Sequence, residues 1–438
     1  MPLTRRYQPL EGGSGAPDPL TGLTTLAQAA GTLKEWQEAN SHAQAMLIAL
    51  GEMGALNLAF GQAVGDSVLR ETARRIALFA EDEFADENCL IARVDGSTFL
   101  VAVQGEWARE RWQWLAEALA DAIALPFRYS DDVPSIRLWP RVFLARSGPL
   151  DGAGSLLDKL AEASDRSREF GAARIGWAQG APTQFGAGRR QMERDLLSAI
   201  DLDEIAVCYQ PQYALADDRL IGAEALARWN HPRLGQLGAG ALFAIASRID
   251  HVAHLSRHII ARAVADAAAW PDDLRLSVNV TASCLSIAEF GREIGALARD
   301  SGFALSRLTV EITEQALIGD MVLAQATLNH LANQGVRIAL DDFGAGFCNF
   351  RYLKVLPLSL IKLDRSMIDG ILDDPRDLSV FRGIVAMARA LDLKVVVEGV
   401  ENEEQRVLIA AEGCDSFQGF LRSPPVTQAE FLTLAEAA

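Results

Sequence analysis

Glu224, Glu311, the adjacent pair Asp341 and Asp342, and Glu398 each close a short apolar run, in LIGAEAL, LTVEITE, IALDDFG and VVVEGVE. Asn279 sits at the same point of LSVNVT, and Lys362 in LIKLDR and Gln418 in SFQGF fall at corresponding places. Carboxylates gathered in one place repel one another strongly unless cations neutralise them. An all-oxygen set suits Mg²⁺ or Mn²⁺ better than zinc. The residue types therefore predict metal-assisted chemistry on an anionic substrate. Adjacent Asp341 and Asp342 are expected to point different ways from a strand end, so that each reaches a separate metal or one bridges both. A single Glu at a strand end is usually a solvated loop residue. Six oxygen-bearing side chains at matching ends of five runs are not explained as surface decoration.

To converge, these residues need parallel strands. Runs near 206–215, 219–228, 274–281, 308–314, 337–342, 359–364, 394–399 and 416–420 read as strands, mostly separated by segments long enough for a crossover helix. Alternating strands and helices of this number predict an α/β barrel over an open sheet, with the site at the C-terminal strand ends. One connection is an exception. Only Ala216, Asp217, Asp218 and Arg219 separate the first two runs, too few for a parallel crossover, so the first strand is expected to be antiparallel. The expected architecture is a modified TIM barrel.

The N-terminal part reads differently. A threonine-capped helix in TGLTTLAQAAGTLKEWQEA, a strand at 45–50 and a helix over 65–80 come first. Two strands about an Asp95-Gly96 turn, a helix (107–124), a strand (136–145) and a helix (153–166) follow, an α+β order. The boundaries expected are a flexible tail (1–17), the α+β domain (18–178), a Gly/Pro-bearing linker (179–192) and the barrel (193–438).

The chain has 438 residues, enough for both domains, and its composition, half hydrophobic and 23% charged, is globular. A net charge of −17 argues against a nucleic-acid polymer or an anionic membrane as partner, but not against a small anion at a metal-bearing site. Five scattered cysteines without a CxxC pair read as reduced thiols. No run approaches the roughly 18 apolar residues of a membrane span. A cytoplasmic location is expected. His251, His254 and His258 share a helical face but lack a partner acid or Cys to complete a zinc set, and read as a solvated or dimer-facing stripe.

GAEALARWNHP, VNVT, VEITE, DDFGAGF, KLDRS, VEGVENEEQ and GCDSFQGF, in that order from about residue 195 to the end, resemble the EAL family of cyclic di-GMP phosphodiesterases. The resemblance implies hydrolysis of cyclic di-GMP to linear pGpG with two metals, and a homodimer. It makes Glu224, Asn279, Glu311 and Asp341 ligands of one ion, and Asp341, Asp342 and Glu398 ligands of the other. It makes Lys362 the residue that orients the attacking water, with Glu398 and Glu314 completing the catalytic set, Glu314 as a brace for the loop after the Asp pair. Gln210, Arg228 and Gln418 match substrate-side positions. The chain departs from the family at Ala345 and Phe347, which replace a threonine and a tyrosine, and at Ala239, Ala244 and Ser247, which replace two prolines and a glutamate. The alternative is a receptor that binds cyclic di-GMP without turnover and acts through a partner.

DPLTGL, the segment 45–69 and ARVDGSTF resemble a GGDEF diguanylate cyclase domain that has lost its chemistry. Ala49 replaces a metal-binding Asp, Gly54 a phosphate-side Lys, and Asp95-Gly96-Ser97-Thr98-Phe99 lacks the signature acids. Asp86 and Cys89 occupy the inhibitory RxxD positions. Asn57 and Asp66 remain at guanine-recognition positions, so GTP binding is the alternative to a structural and dimerising module.

Overall fold

The structure is a computed structural model that describes residues 16–39, 41–51, 53–84, 87–127, 135–147, 155–170, 174–178, 187–317, 321–344, 352–368 and 370–437. Its strands are β1 (Thr24–Thr25), β2 (Ala43–Leu50), β3 (Cys89–Asp95), β4 (Thr98–Gln104), β5 (Pro140–Arg146), β6 (Ile175–Trp177), β7 (Ile205–Ala214), β8 (Leu220–His231), β9 (Gly235–Leu237), β10 (Arg275–Asn279), β11 (Leu308–Thr313), β12 (Arg337–Phe343), β13 (Leu360–Leu363), β14 (Lys394–Val397) and β15 (Ser416–Gln418). Its helices are α1 (Leu26–Glu38), α2 (Met53–Phe60), α3 (Gln62–Glu83), α4 (Arg109–Ile123), α5 (Ser155–Phe170), α6 (Ala187–Asp201), α7 (Ala239–Arg248), α8 (Val252–Ala267), α9 (Ala282–Leu285), α10 (Phe290–Ser301), α11 (Met321–Asn333), α12 (Tyr352–Val355), α13 (Pro375–Ala390), α14 (Glu403–Glu412) and α15 (Gln428–Ala437). Two compact units result, Met1–Ala199 with Trp229–Arg248, and Ile200–Arg228 with Ile249–Ala438.

The first unit carries a sheet in the order β1-β3-β4-β2-β5-β6, the α+β arrangement expected. Helix α1 starts at a capping box, where Thr25 N donates to Gln28 Oε1 at 2.9 Å. β3 and β4 pair antiparallel about the expected turn, where Gly96 has φ +24°. Arg75 on α3 is buried and closes the end of α4: it bonds Glu71 at 2.7 Å and donates to the carbonyls of Ala122, Ile123, Leu125 and Pro126. Of those carbonyls, Ala122 also accepts from Leu125 N–H at 3.4 Å, while the others lie where a helix C-terminus leaves acceptors unpaired. Helix α6 begins at Ala187, within the last residues of the 180–190 segment, where the sequence allows a helix to start; the helix α2 and the strands β1, β6 and β9 are additions to the sequence reading.

Residues 229–248 belong to this unit, and side-chain charges hold them there. Glu83 and Asp82 accept from the backbone N–H groups of Gly238 and Gly240, each at 2.9 Å, at the positive end of α7. At its other end Arg248 donates to Asp121 on α4 at 2.7 Å. Ala241, Leu242, Ile245 and Ala246 form its buried face. Ala239 is the first residue of this helix, where a proline fits, while Ala244 lies in its interior, where a proline would break its hydrogen bonding, and Ser247 lies in its last turn.

The second unit is a closed barrel. β10 to β15 pair in sequence, all parallel, and β8 closes the ring by pairing parallel with β10. β7 lies between β15 and β8 and runs antiparallel to β15, as the short β7–β8 connection requires. Inside the ring, Ala339, Leu360 and Val396 form a buried apolar cluster. Two residues further along the same strands stand Asp341, Lys362 and Glu398, so strand alternation places them one layer above this floor. Among the described residues no helix is long and apolar enough to cross a membrane.

Candidate metal-binding active site

Lys362 is the centre of the polar layer. It projects inward from β13, is 1% exposed, and its Nζ lies 3.0 Å from Glu224 Oε2, 2.6 Å from Glu311 Oε2, 3.1 Å from Asp341 Oδ1 and 2.7 Å from Glu398 Oε1. Burial alone would lower the ammonium's pKa, but the carboxylates of Asp341, Glu224, Glu311 and Glu398 overcome it and raise it well above the ordinary value. A fixed cation therefore sits amid the acids. It does not neutralise them all. Burial, with the charge of Glu224 behind it, pushes Glu311 well above the carboxylate range, and burial does the same to Glu398. Asp341 is raised for the same reason. Glu224 is held below its ordinary value: burial opposes this, but Lys362 and hydrogen bonds from Gln418, Lys362 and Asn279 prevail.

Two overlapping groups of ligand atoms are built into this layer. Glu224, Glu311 and Asp341 form one, Asp341, Asp342 and Glu398 the other, and within each the oxygens lie within 4.8 Å of one another. Asp341 is common to both, the placement a bridging carboxylate needs. Asn279 Nδ2 donates to Glu224 Oε1 at 2.7 Å, which brings it to the rim of the first group. Glu311 Oε1 is buried without a hydrogen-bond partner, and Asp341 Oδ1, also buried, has Lys362 Nζ beside it at 3.1 Å. A buried carboxylate oxygen left without a partner is costly. Hard divalent cations fit these donors.

Of the two arrangements expected for the Asp pair, the geometry is that of the bridge: Asp341 belongs to both groups, and Asp342 meets it in the second instead of diverging from it. Successive side chains of a regular strand point to opposite faces, but β12 shifts register between Leu340 and Phe343, and Asp342 adopts φ +56°. The irregularity turns both carboxylates to the same rim, where they meet Glu398. Aspartate tolerates this left-handed conformation better than most residues.

The other sequence-selected residues divide. Gln418 is in the cluster: its Nε2 donates to Glu224 Oε2 at 2.8 Å and to Glu398 Oε1 at 2.9 Å. The chain turns at once at Gly419 (φ +154°), where a Cβ would lie 2.3 Å from the backbone N and O of Val400. Gln210 is buried and donates to the Ser423 carbonyl at 2.7 Å, while Arg228, also buried, donates to the Ala227 carbonyl at 2.9 Å. Glu314 opens the short turn after β11, half-buried and outside both carboxylate groups. Ala345 and Phe347, like Asp86, lie outside the described residues. Sequence reading missed Gln212, buried on β7, whose Nε2 donates to Gln418 Oε1 at 2.9 Å. The signal was its spacing of two from Gln210, which puts both on one strand face.

The first unit offers no comparable cluster among its described residues. Ala49 on β2 stands in register with Thr98 on one side and Arg141 on the other. Ser97 of the turn bonds the Leu50 carbonyl at 3.2 Å. Asn57 is exposed and lays its amide over Gly65, where a Cβ would lie 1.8 Å from Oδ1; Asp66 is half-buried nearby in sequence on α3.

Residues 193–425 match the family model described as EAL domain, and residues 16–137 the one described as diguanylate cyclase, GGDEF domain. MucR of Pseudomonas aeruginosa, a bifunctional diguanylate cyclase/cyclic di-GMP phosphodiesterase, is 30% identical over 387 residues, 86% of this chain and 55% of that protein. NbdA of the same organism, a cyclic di-GMP phosphodiesterase, is 31% identical over 399 residues, 88% of this chain and 49% of that protein. The solved PaMucR phosphodiesterase–c-di-GMP complex is 32% identical with a TM-score of 0.52, covering 55% of this chain and 100% of its own. The EAL enzyme Bd1971, in its cAMP- and cyclic-di-GMP-bound form, is 27% identical with a TM-score of 0.55, covering 67% and 80%. This chain spans about half the length of several curated relatives it matches. The chain belongs to the EAL-domain family.

Proposed function

We propose that this chain hydrolyses one phosphodiester bond of cyclic di-GMP, giving linear pGpG, at the Glu224–Glu311–Asp341–Asp342–Glu398 cluster. The observation that carries the reading is the pair of overlapping ligand groups, with Glu311 Oε1 buried among them without a hydrogen-bond partner. On this reading Glu224, Asn279, Glu311 and Asp341 hold one Mg²⁺ or Mn²⁺, and Asp341, Asp342 and Glu398 a second. Bound there, two divalent ions supply a water of lowered pKa and a counter-charge for the phosphoryl oxygens. The protein's own share is positional. Lys362 donates hydrogen bonds at the centre of the acids and orients the attacking water, whose oxygen bonds to phosphorus as the ester oxygen leaves. Glu398 sits beside it, 2.7 Å from Nζ, as the proton-accepting partner. Arg228 and Gln210, on strands bordering the cluster, hold the substrate, Arg228 through a bidentate phosphate contact. The loop after β12 that Glu314 is expected to brace lies outside the described residues.

The GGDEF-like domain acts as a regulatory or dimerising module within a homodimer, without cyclase activity. Support comes from Ala49 facing Thr98 and Arg141, where divalent ions would need acids. The test is to incubate the purified chain with cyclic di-GMP and Mg²⁺ or Mn²⁺, with and without GTP, and follow pGpG. Product is the expected result. Binding without product under every condition would replace the hydrolase with a receptor, and GTP-dependent product would make the first domain a nucleotide sensor.

A further inference from the structure

Gln212 stands directly opposite Gln418 in the antiparallel β7–β15 pair, and side chains so placed share one face of the sheet. The hydrogen-bond chain that follows has a forced polarity. The ionised carboxylate of Glu224 only accepts, so Gln418 must turn its Nε2 toward it, at 2.8 Å, and the same nitrogen lies 2.9 Å from Glu398 Oε1. Its Oε1 then faces β7, where only a donor can satisfy it. Gln212 Nε2 is that donor, at 2.9 Å, and both side chains are buried. Glu224 belongs to one ligand group and Glu398 to the other, so the Gln418 amide ties the two groups together.

We propose that Gln212 is a positioning residue for the reaction: it fixes the amide orientation of Gln418 and thereby the separation of Glu224 and Glu398. The role rests on the hydrolase reading above. Without the donor, Gln418 keeps its bonds to Glu224 and Glu398 but its buried Oε1 loses its partner, so nothing holds the amide in place from the β7 side. With an acceptor in place of the donor, Oε1 meets a second acceptor, and the repulsion displaces the amide from the position that ties Glu224 to Glu398. The strand that breaks the barrel's parallel order thus supplies a supporting member of the site.

The experiment compares wild type with Gln212→Leu, Gln212→Met and Gln212→Glu, reading Mn²⁺ affinity by titration calorimetry without substrate, then kcat and KM for cyclic di-GMP. Residues that orient metal ligands typically govern affinity or activity by about 10–100-fold. Loss of Mn²⁺ affinity by about tenfold is expected in the two apolar variants, more in Gln212→Glu, with kcat falling and KM nearly constant. Thermal melts identify a variant that fails to fold, and the remaining variants then decide. Wild-type Mn²⁺ affinity in the folded variants would overturn the proposal. So would a rise in KM at unchanged kcat, which would make Gln212 a substrate contact. A wild-type protein that binds Mn²⁺ yet forms no pGpG would sink the hydrolase reading and leave the Mn²⁺ comparison standing.

Discussion

Replacing Lys362 by Met keeps the stem of the side chain and removes its charge from among four carboxylates 2.6–3.1 Å away. The loss depends on what else neutralises the acids. In metal-free protein nothing else does except protons, and removing one partner of a buried ion pair costs about 3–5 kcal/mol. The lower half of that range is expected, because Glu311 and Glu398 are already pushed toward protonation and take up protons in place of the ammonium. For a unit of barrel size, about 3 kcal/mol corresponds to a fall in Tm of roughly 6–12 °C. With Mn²⁺ at about 100 times its Kd, binding adds about 2.7 kcal/mol to the native state, and the divalent charge replaces the missing ammonium. The deficit of the variant should therefore shrink when Mn²⁺ is added.

The assay is a thermal melt of wild type and Lys362→Met in EDTA and in Mn²⁺, with the barrel's transition identified by its response to the metal. The turnover of the variant should be at least about 10²-fold lower, as for loss of a residue that handles the reacting proton. An unchanged Tm in EDTA would refute the idea that the ammonium neutralises the metal-free cluster. An equal deficit with and without Mn²⁺ would reduce Lys362 to a packing residue.

Other expectations follow from the same geometry. Glu224→Ala and Glu398→Gln should each abolish pGpG formation and weaken Mn²⁺ binding by about tenfold or more; near wild-type turnover in either would remove the proposed site. In the metal-free protein, Glu311, Glu398 and Asp341 have raised pKa values, so the native state holds protons that the unfolded chain has released, and stability should fall as pH rises above about 4.5. Glu224, lowered, works in the opposite sense, adding stability that is lost as pH falls through its folded value, but it is one group against three. Urea melts across pH in EDTA read the slope, and Mg²⁺ should flatten it. Gly419→Ala would drive a Cβ to 2.3 Å from the Val400 backbone, so a loss of at least about 2 kcal/mol is expected, together with weaker Mn²⁺ binding as Gln418 shifts. Arg75→Met should destabilise the first unit by about 2–4 kcal/mol, read by chemical denaturation, because it strands the carbonyls at the end of α4.

What could be read from the chain, and what could not, follows the range of the interactions. Strand positions are legible because apolar runs of fixed length end in acid, and the direction of β7 because four residues cannot form a crossover. The convergence of Asp341 and Asp342 is not legible: it depends on a register shift against β13 and a left-handed Asp342, neither marked by a glycine. Gln212 is only partly marked: its spacing of two from Gln210 puts it on the same strand face, but its role comes from standing opposite Gln418, a residue 206 positions away. The expected bounds of 193–438 place the segment 229–248 with the barrel, whereas Asp82, Glu83 and Asp121 hold α7 within the first unit.

The two units also show why the acids alone would have been an uncertain guide. A strand end can lose its acid and remain sound: in the first unit the turn at Ser97 is tied to Leu50 by hydrogen bonds, and Ala49 leaves nothing unbalanced. In the barrel, Lys362 balances only part of the charge, and Glu311 Oε1 remains buried without a bonded partner. Such a layer is a poor way to stabilise a fold, since apolar residues of similar volume would pack there at least as well. Its persistence over the apolar floor of Ala339, Leu360 and Val396 is therefore an argument for cation binding that does not depend on counting acids.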